Sequence, residues 1–155
     1  MKNIKRVGLI ALFIGIAFLP SLGAVAVKPG GWYAALNKPL WNPPSWIFGP
    51  VCTLLYILIG LAGYFVWTRG RREDRLAVFS VYGAQLLLNA LWTPLFFGLH
   101  QIGGALADLV LMWFMILLNI GLFSRQRRLA AWLLIPYFLW VSFAGALNAA
   151  IMAIN

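Results

Sequence analysis

The chain has 155 residues, enough for one domain, and is 63% apolar and 10% charged, with a mean hydropathy of +0.90. A small water-soluble domain cannot bury that much apolar surface, so lipid must be the solvent for much of it. A net charge of +9 raises the question of nucleic acid, but the twelve Lys and Arg sit in short clusters between apolar runs rather than on one face, which excludes that class.

In chain order, Lys2, Lys5 and Arg6 precede an uncharged run over residues 7–27, about the 20 residues a helix needs to cross a bilayer. The same stretch has the pattern of a signal peptide, with Ala24-Val25-Ala26 as a cleavage site, although its apolar run is longer than most such cores. Pro20 predicts a kink, tolerated where neighbouring groups take up the freed carbonyl. The segment from Trp32 to Trp46 is the long polar interruption, with Pro39, Pro43 and Pro44 forbidding a regular ladder. A solvated tether has little use for Trp32, Trp41 and Trp46, so the segment reads as a folded cap at a membrane surface.

Ser45 is placed to cap a second span over 46–67. A charged loop from Thr68 to Arg75 leads to a third span over 76–99, and a very short turn at His100 leads to a fourth over 102–123. Arg125, Arg127 and Arg128 mark the last loop, before a fifth span over 129–154. The fold class expected is an all-α integral membrane protein, a single domain of five transmembrane helices. Ten Lys and Arg fall on the side of the N-terminus and the second and fourth loops, against Lys28 and Lys38 alone on the other. That bias predicts a cytoplasmic N-terminus, with the first loop and C-terminus outside, and favours a bacterial inner membrane. Trp41, Trp46, Trp67 and Trp132 lie near span ends, where an interfacial aromatic belt is expected.

Helical spacing sets polar and aromatic side chains on shared stripes. Tyr82, Gln85, Asn89 and Trp92 fall on one face of the third span, and Tyr137, Trp140, Ala144 and Asn148 on one face of the fifth. Cys52 and Tyr56 are one turn apart in the second. Amides do not face hydrocarbon without a partner, so Gln85, Asn89 and Asn148 point inward, either as interhelical glue or into a cavity. Asp108 is the single acid within a span and a functional candidate by default. It shares a stripe with Met112, Met115 and Asn119, which leads to the interior, yet lies about two turns from a loop, within reach of headgroups. Small residues at Ser80, Gly83 and Ala84, and at Gly103 with Ala107, offer close helix contacts or a dimer face. Cys52 is the lone cysteine, which excludes an internal disulfide, and His100 has no companion at ligand spacing, so no metal site is expected.

The segment Trp32-Tyr33-Ala-Ala-Leu-Asn37-Lys38-Pro39-Leu-Trp41-Asn42-Pro43-Pro44-Ser-Trp46-Ile-Phe48 resembles the first loop of the TspO/MBR family, the tryptophan-rich sensory proteins related to the mitochondrial translocator protein (peripheral benzodiazepine receptor). Gln85-Leu-Leu-Leu-Asn89-Ala-Leu-Trp92-Thr93-Pro94-Leu-Phe96-Phe97, Trp113, Pro136-Tyr137-Phe138-Leu139-Trp140 and Leu147-Asn148 carry the likeness on, in order, from about residue 15 to 150. The resemblance implies a five-helix bundle, often a homodimer, with a ligand cavity under the first loop. It implies binding of protoporphyrin IX or another haem-pathway tetrapyrrole, of cholesterol-like lipids and of benzodiazepine-site drugs, with a role in tetrapyrrole transport or in stress and oxygen sensing. It places Trp32, Tyr33, Cys52, Tyr56, Asn89, Trp92, Trp140 and Ala144 around the cavity, with Asp108, Gln85 and Asn148 as further candidates. No cofactor is required.

Two departures matter. Many family members carry Trp where this chain has Cys52, and that position with the one matching Trp140 is the pair linked to light-dependent porphyrin breakdown. With one indole missing, that activity is weakened here, and no nucleophile–base pair supports ordinary catalysis. The cholesterol motif of the animal proteins needs Leu or Val, then Tyr, then a base, and the residues after Leu147 supply neither of the last two. The reading that follows is a membrane receptor or carrier for porphyrins. The alternatives are a light-dependent porphyrin-degrading enzyme, with Trp140 as its weak catalytic candidate, and a structural or regulatory module that holds lipid.

Overall fold

The computed structural model describes residues 2–155, and all regular structure among them is helical. The helices are α1 (Lys2–Phe18), α2 (Ser21–Ala26), α3 (Gly31–Ala35), α4 (Ser45–Arg69), α5 (Arg75–Thr93), α6 (Ile102–Gln126) and α7 (Arg128–Ile154). A π-helical turn, Pro94–Gly98, continues α5. Among the described residues four helices are long and apolar enough to cross a membrane: α4, α5 with its π turn, α6 and α7.

The apolar run over 7–27 is not one helix. Pro20 has no N–H to donate, and the Ile16 carbonyl it would have met accepts instead from Leu19 N–H at 3.1 Å. Ser21 Oγ donates to the Phe18 carbonyl at 2.6 Å, so the break is closed by local donors. The result is a 17-residue α1 and a six-residue α2. The break lets the two pieces take different partners, since α1 packs on α4 and α2 on α5. The other main neighbours are α4 on α7, α7 on α6 and α6 on α5, which completes a ring.

Helices α1 and α4 approach closely at glycines the sequence patterns did not single out. A Cβ at Gly60 would lie 2.6 Å from Ile14 Cα, and one at Gly63 would lie 2.9 Å from Phe13 Cδ1 and from Tyr82 Oη. Gly83 has nothing within 4 Å of such a Cβ, and Gly103 meets only Met152, at 3.9 Å. Ser45 does not cap α4 as its position suggests; it is the first helical residue, Pro44 precedes it, and no side chain caps the end.

The outside of the ring is apolar. Leu12, Leu54, Leu87, Leu111 and Leu139 stand exposed on α1, α4, α5, α6 and α7. In water a surface of that kind would drive aggregation, whereas against acyl chains it is the expected one. The protein is an integral membrane protein. Its core divides into a large cluster centred on Ile59, Ile116, Phe123 and Leu134, and a smaller one of Phe96, Ala105, Leu147 and Ile151 that packs against Trp32, Tyr33 and Leu36.

Candidate functional site

Between the two core clusters lies a cavity of about 670 Å³. Every helix reaches it through one or more side chains. Phe18, Ser21 and Val25 come from the broken first run, Tyr33 and Ala34 from α3, and Phe48, Cys52, Thr53 and Tyr56 from α4. Asn89 and Trp92 come from α5 and Phe96 and Phe97 from the π turn, with Leu109 and Met112 from α6. Tyr137, Trp140, Ala144 and Asn148 complete the wall from α7.

One flank is open. Ala24, Val25, Ser45, Gly49 and Thr53 all line the cavity and are nevertheless exposed on the outside of the bundle. They belong to α2 and the first turns of α4, and Pro29, Gly30 and Ala34 line the cavity and are exposed as well, so the opening runs between α2, α4 and the segment around α3. Thr53 Oγ1 donates to the Gly49 carbonyl at 2.8 Å and so presents little free polarity at that rim.

The inner end of the cavity holds its polar groups. Tyr56 Oη donates to Asn89 Oδ1 at 3.2 Å, Asn89 Nδ2 donates to Tyr137 Oη at 2.8 Å, and Tyr137 Oη donates onward to Met112 Sδ at 3.4 Å. An amide has two N–H groups and two acceptor lone pairs, so Asn89 keeps one of each in reserve. Trp92 Nε1 is buried with no acceptor among the described residues, which makes it a second donor at the same wall.

Aromatic rings make up the sides. Trp92 and Phe96 stack at 5.2 Å with an interplanar angle of 19°, and Phe97 stands edge-on to both. Phe48 meets Trp140 edge-on at 5.7 Å, while Phe18 tilts against Tyr56 at 5.2 Å. Such a lining favours a flat apolar ligand, because each ring offers a face or an edge at low entropic cost. Tyr33 is half-buried at the loop side, where burial raises its hydroxyl above the usual range, opposed by the Asn42 amide. It therefore stays a protonated donor at neutral pH.

Of the expected residues, Tyr33, Cys52, Tyr56, Asn89, Trp92, Trp140, Ala144 and Asn148 meet at this cavity. Three do not. Trp32 stacks on His100 at 4.2 Å and leans on Phe96 at 5.7 Å, so it backs the wall instead of forming it. Gln85 is buried one to two turns further from the cavity, and neither of its side-chain polar atoms has a partner. Asp108 is 6% exposed and lies in the interior, with Oδ2 unpartnered among the described residues and the side chain outside the cavity wall. Asn148 spends one donor on the Ile102 carbonyl at 3.0 Å. Phe18 and Thr53 line the cavity without having been singled out. For Thr53 the signal was present, because Gly49, Thr53 and Tyr56 recur at helical spacing on the Cys52 side of α4.

The geometry can be set beside known proteins. The TspO/MBR family model matches residues 8–154. This chain belongs to the TspO/MBR family. It is similar to the tryptophan-rich protein TspO of Chlorobaculum tepidum, with 39% identity over 97% of this chain and 98% of that one. It is also 39% identical to the tryptophan-rich sensory protein of Cereibacter sphaeroides, over 94% and 92% of the two chains. The human translocator protein is 39% identical over 87% of this chain and 85% of its own. The TspO/MBR match over residues 8–154 includes every residue that lines the cavity described above.

Proposed function

We propose that this chain is a membrane receptor or carrier that takes protoporphyrin IX, or a related flat apolar tetrapyrrole, into the cavity between its helices. The observation that carries the reading is the combination of a cavity of about 670 Å³ with stacked aromatic walls and one convergent polar cluster at Asn89. Small-molecule sites of about 300–1,000 Å³ with few polar anchors are the common pattern. The names of the relatives, a sensory protein and a translocator, support a role in which a ligand is bound rather than transformed.

In this reading α1 and α2 together make a fifth crossing, bent at Pro20, and the segment 27–44 is a lid. The N-terminus is cytoplasmic and the lid lies outside, as the ten basic residues at one end favour. Lys38 is held over the Tyr33 ring at 4.5 Å and donates to the Leu36 carbonyl at 3.3 Å, which leaves Lys28 as the better cation for a propionate at the surface. The protein works as a homodimer within the inner membrane.

The test is a fluorescence titration of the detergent-purified protein with protoporphyrin IX in the dark, beside Trp140→Phe. Saturable quenching that weakens in the variant supports the reading. A linear response identical in both proteins means partition into the micelle and overturns it.

A further inference from the structure

A second cleft, of about 300 Å³, lies between α1 and α4 at the end of the bundle that carries the N-terminus. It shares no residue with the aromatic cavity. Its mouth is cationic, formed by Lys5 and Arg6 of α1 and Arg69 of α4, and Leu9 and Phe65 line its inner side. The spacing makes this arrangement regular. Lys5 and Leu9 are one turn apart on α1, and Phe65 and Arg69 are one turn apart on α4, so each helix sets a cation one turn outward from an apolar side chain. The antiparallel contact of Phe13 with Gly63 and of Ile14 with Gly60 fixes the two helices in this register.

The cleft has little acid to answer it. The chain holds three acidic residues in all, Glu73, Asp74 and Asp108. Asp74 Oδ2 accepts from Gln126 Nε2 at 2.8 Å, and Asp108 sits near the start of α6, toward the opposite end. Arg75, at the same end on α5, is committed to Trp67, donating to its carbonyl at 2.6 Å with the guanidinium 4.5 Å from the ring centre. Thr68, in the cleft wall, spends its hydroxyl proton on the Tyr64 carbonyl at 2.8 Å. The free donors in the cleft are thus the three cations and the Tyr64 hydroxyl.

We propose that this cleft binds the phosphodiester headgroup of an anionic phospholipid. Three cations at a membrane surface attract a phosphate oxyanion, and the same chemistry would serve free phosphate. The apolar inner side decides between the two. Leu9 and Phe65 offer a phosphate ion nothing, whereas beneath a lipid headgroup they receive the glycerol and first acyl carbons. Exposed Leu12, one turn inward of Leu9 on α1, continues the apolar path for the chains. The site is independent of the porphyrin reading and stands or falls without it.

The experiment is native mass spectrometry of the full chain released from detergent, titrated with dioleoyl phosphatidylglycerol or dioleoyl phosphatidylcholine. The wild type should retain the anionic lipid at a concentration lower by roughly tenfold than the zwitterionic one. Arg69→Gln and the double variant Lys5→Gln/Arg6→Gln should abolish that preference, while Arg69→Lys keeps it. Arg125→Gln/Arg128→Gln, which removes two cations from the same end but outside the cleft, should leave it unchanged. Equal retention of both lipids overturns the proposal, as does an equal loss in Arg125→Gln/Arg128→Gln, which would mean a diffuse surface field. Displacement of the lipid by millimolar inorganic phosphate would mean a free-anion site and also overturns it. Should the double variant fold poorly by circular dichroism, the comparison of Arg69→Gln with Arg69→Lys decides.

Discussion

Asn155 holds Asn37 by both of its backbone groups. Its Oδ1 accepts from the Asn37 N–H at 2.9 Å, and its Nδ2 donates to the Asn37 carbonyl at 2.8 Å. The same Nδ2 also donates to the Ile151 carbonyl at 2.8 Å, so the side chain is fixed to α7 while it grips the loop. The segment between α3 and α4 has no regular structure of its own; Trp41 meets Phe143 of α7 edge-on at 5.8 Å, and this clamp ties its backbone to the bundle by hydrogen bonds. Each exposed bond contributes about 0.5–1.5 kcal/mol, enough to set local opening but not global stability. Asn155→Ala should speed amide hydrogen exchange in residues 31–42 by roughly tenfold with the melting temperature unchanged. Unaltered protection in the loop would show that the clamp is not what holds it.

Asn89 joins three helices, since it accepts from Tyr56 on α4 and donates to Tyr137 on α7. Asn89→Leu keeps the volume, strands the Tyr56 hydroxyl and removes the N–H that Tyr137 Oη accepts. A cost of about 1–3 kcal/mol in stability is expected, together with a roughly tenfold or larger loss of protoporphyrin IX affinity. Tyr82→Phe is the control that separates the two effects. The Tyr82 hydroxyl donates to the Ile59 carbonyl at 3.1 Å, buried and away from the cavity, so its loss should lower stability and leave affinity alone. Affinity that falls equally in both variants would mean the cavity responds to general loosening, not to the Asn89 amide.

Gly60 is needed because of Ile14, whose backbone occupies the space a Cβ would take. Rigid backbone cannot step aside as a flexible side chain can, so Gly60→Ala must push α1 off α4. Overpacking of this kind costs about 1–3 kcal/mol. A lowered unfolding midpoint in a detergent thermal scan is expected, with Gly83→Ala, where nothing lies within 4 Å, as the neutral control. Equal midpoints for the two variants would mean that α1 is not packed as described.

These cases show where the sequence was informative. The 3.6-residue period identifies a face, and it correctly grouped Tyr82, Gln85, Asn89 and Trp92 as inward. It carries no information on depth along the helix axis, and the cavity takes only the last two. Tyr82 stacks on Phe123 at 5.8 Å in solid core. Trp32 and Tyr33 are adjacent on one short helix, so at most one of them can face inward, and loop composition does not say which. Hydropathy marked the four long helices because lipid demands continuous apolar length. The separate partners of α1 and α2 follow from tertiary packing around Pro20, which no local pattern contains.

His100 shows two opposed effects of similar size. Its φ of 56° lies in the left-handed region, where a Cβ is costly, yet its ring stacks on Trp32 at 4.2 Å. Gly would relieve about 1 kcal/mol of backbone strain. It would also forfeit about 0.5–1.5 kcal/mol of stacking. His100→Gly should therefore be nearly neutral in a thermal scan, while His100→Ala keeps the strain, loses the ring and should be the less stable of the two. The reverse order would mean that the turn at residues 99–101 is not held by its φ.

Gln85 is the residue whose replacement should improve the protein. It is 1% exposed on α5, and both its amide oxygen and its amide nitrogen lack a hydrogen-bond partner among the described residues. Asn119 on α6, the helix packed against α5, is in the same condition. A buried polar group left unpaired costs about 1–3 kcal/mol, whereas an apolar side chain of similar volume at that place costs nothing of the kind. Gln85→Leu should raise the unfolding midpoint in detergent, and Gln85→Leu/Asn119→Leu should raise it further. Protoporphyrin IX binding should be unchanged, because Gln85 stands outside the cavity wall. A midpoint that drops on Gln85→Leu and recovers in the double variant would show instead that the two amides bond each other across α5 and α6. Their role would then be to fix the register of those helices beneath the Asn89 cluster.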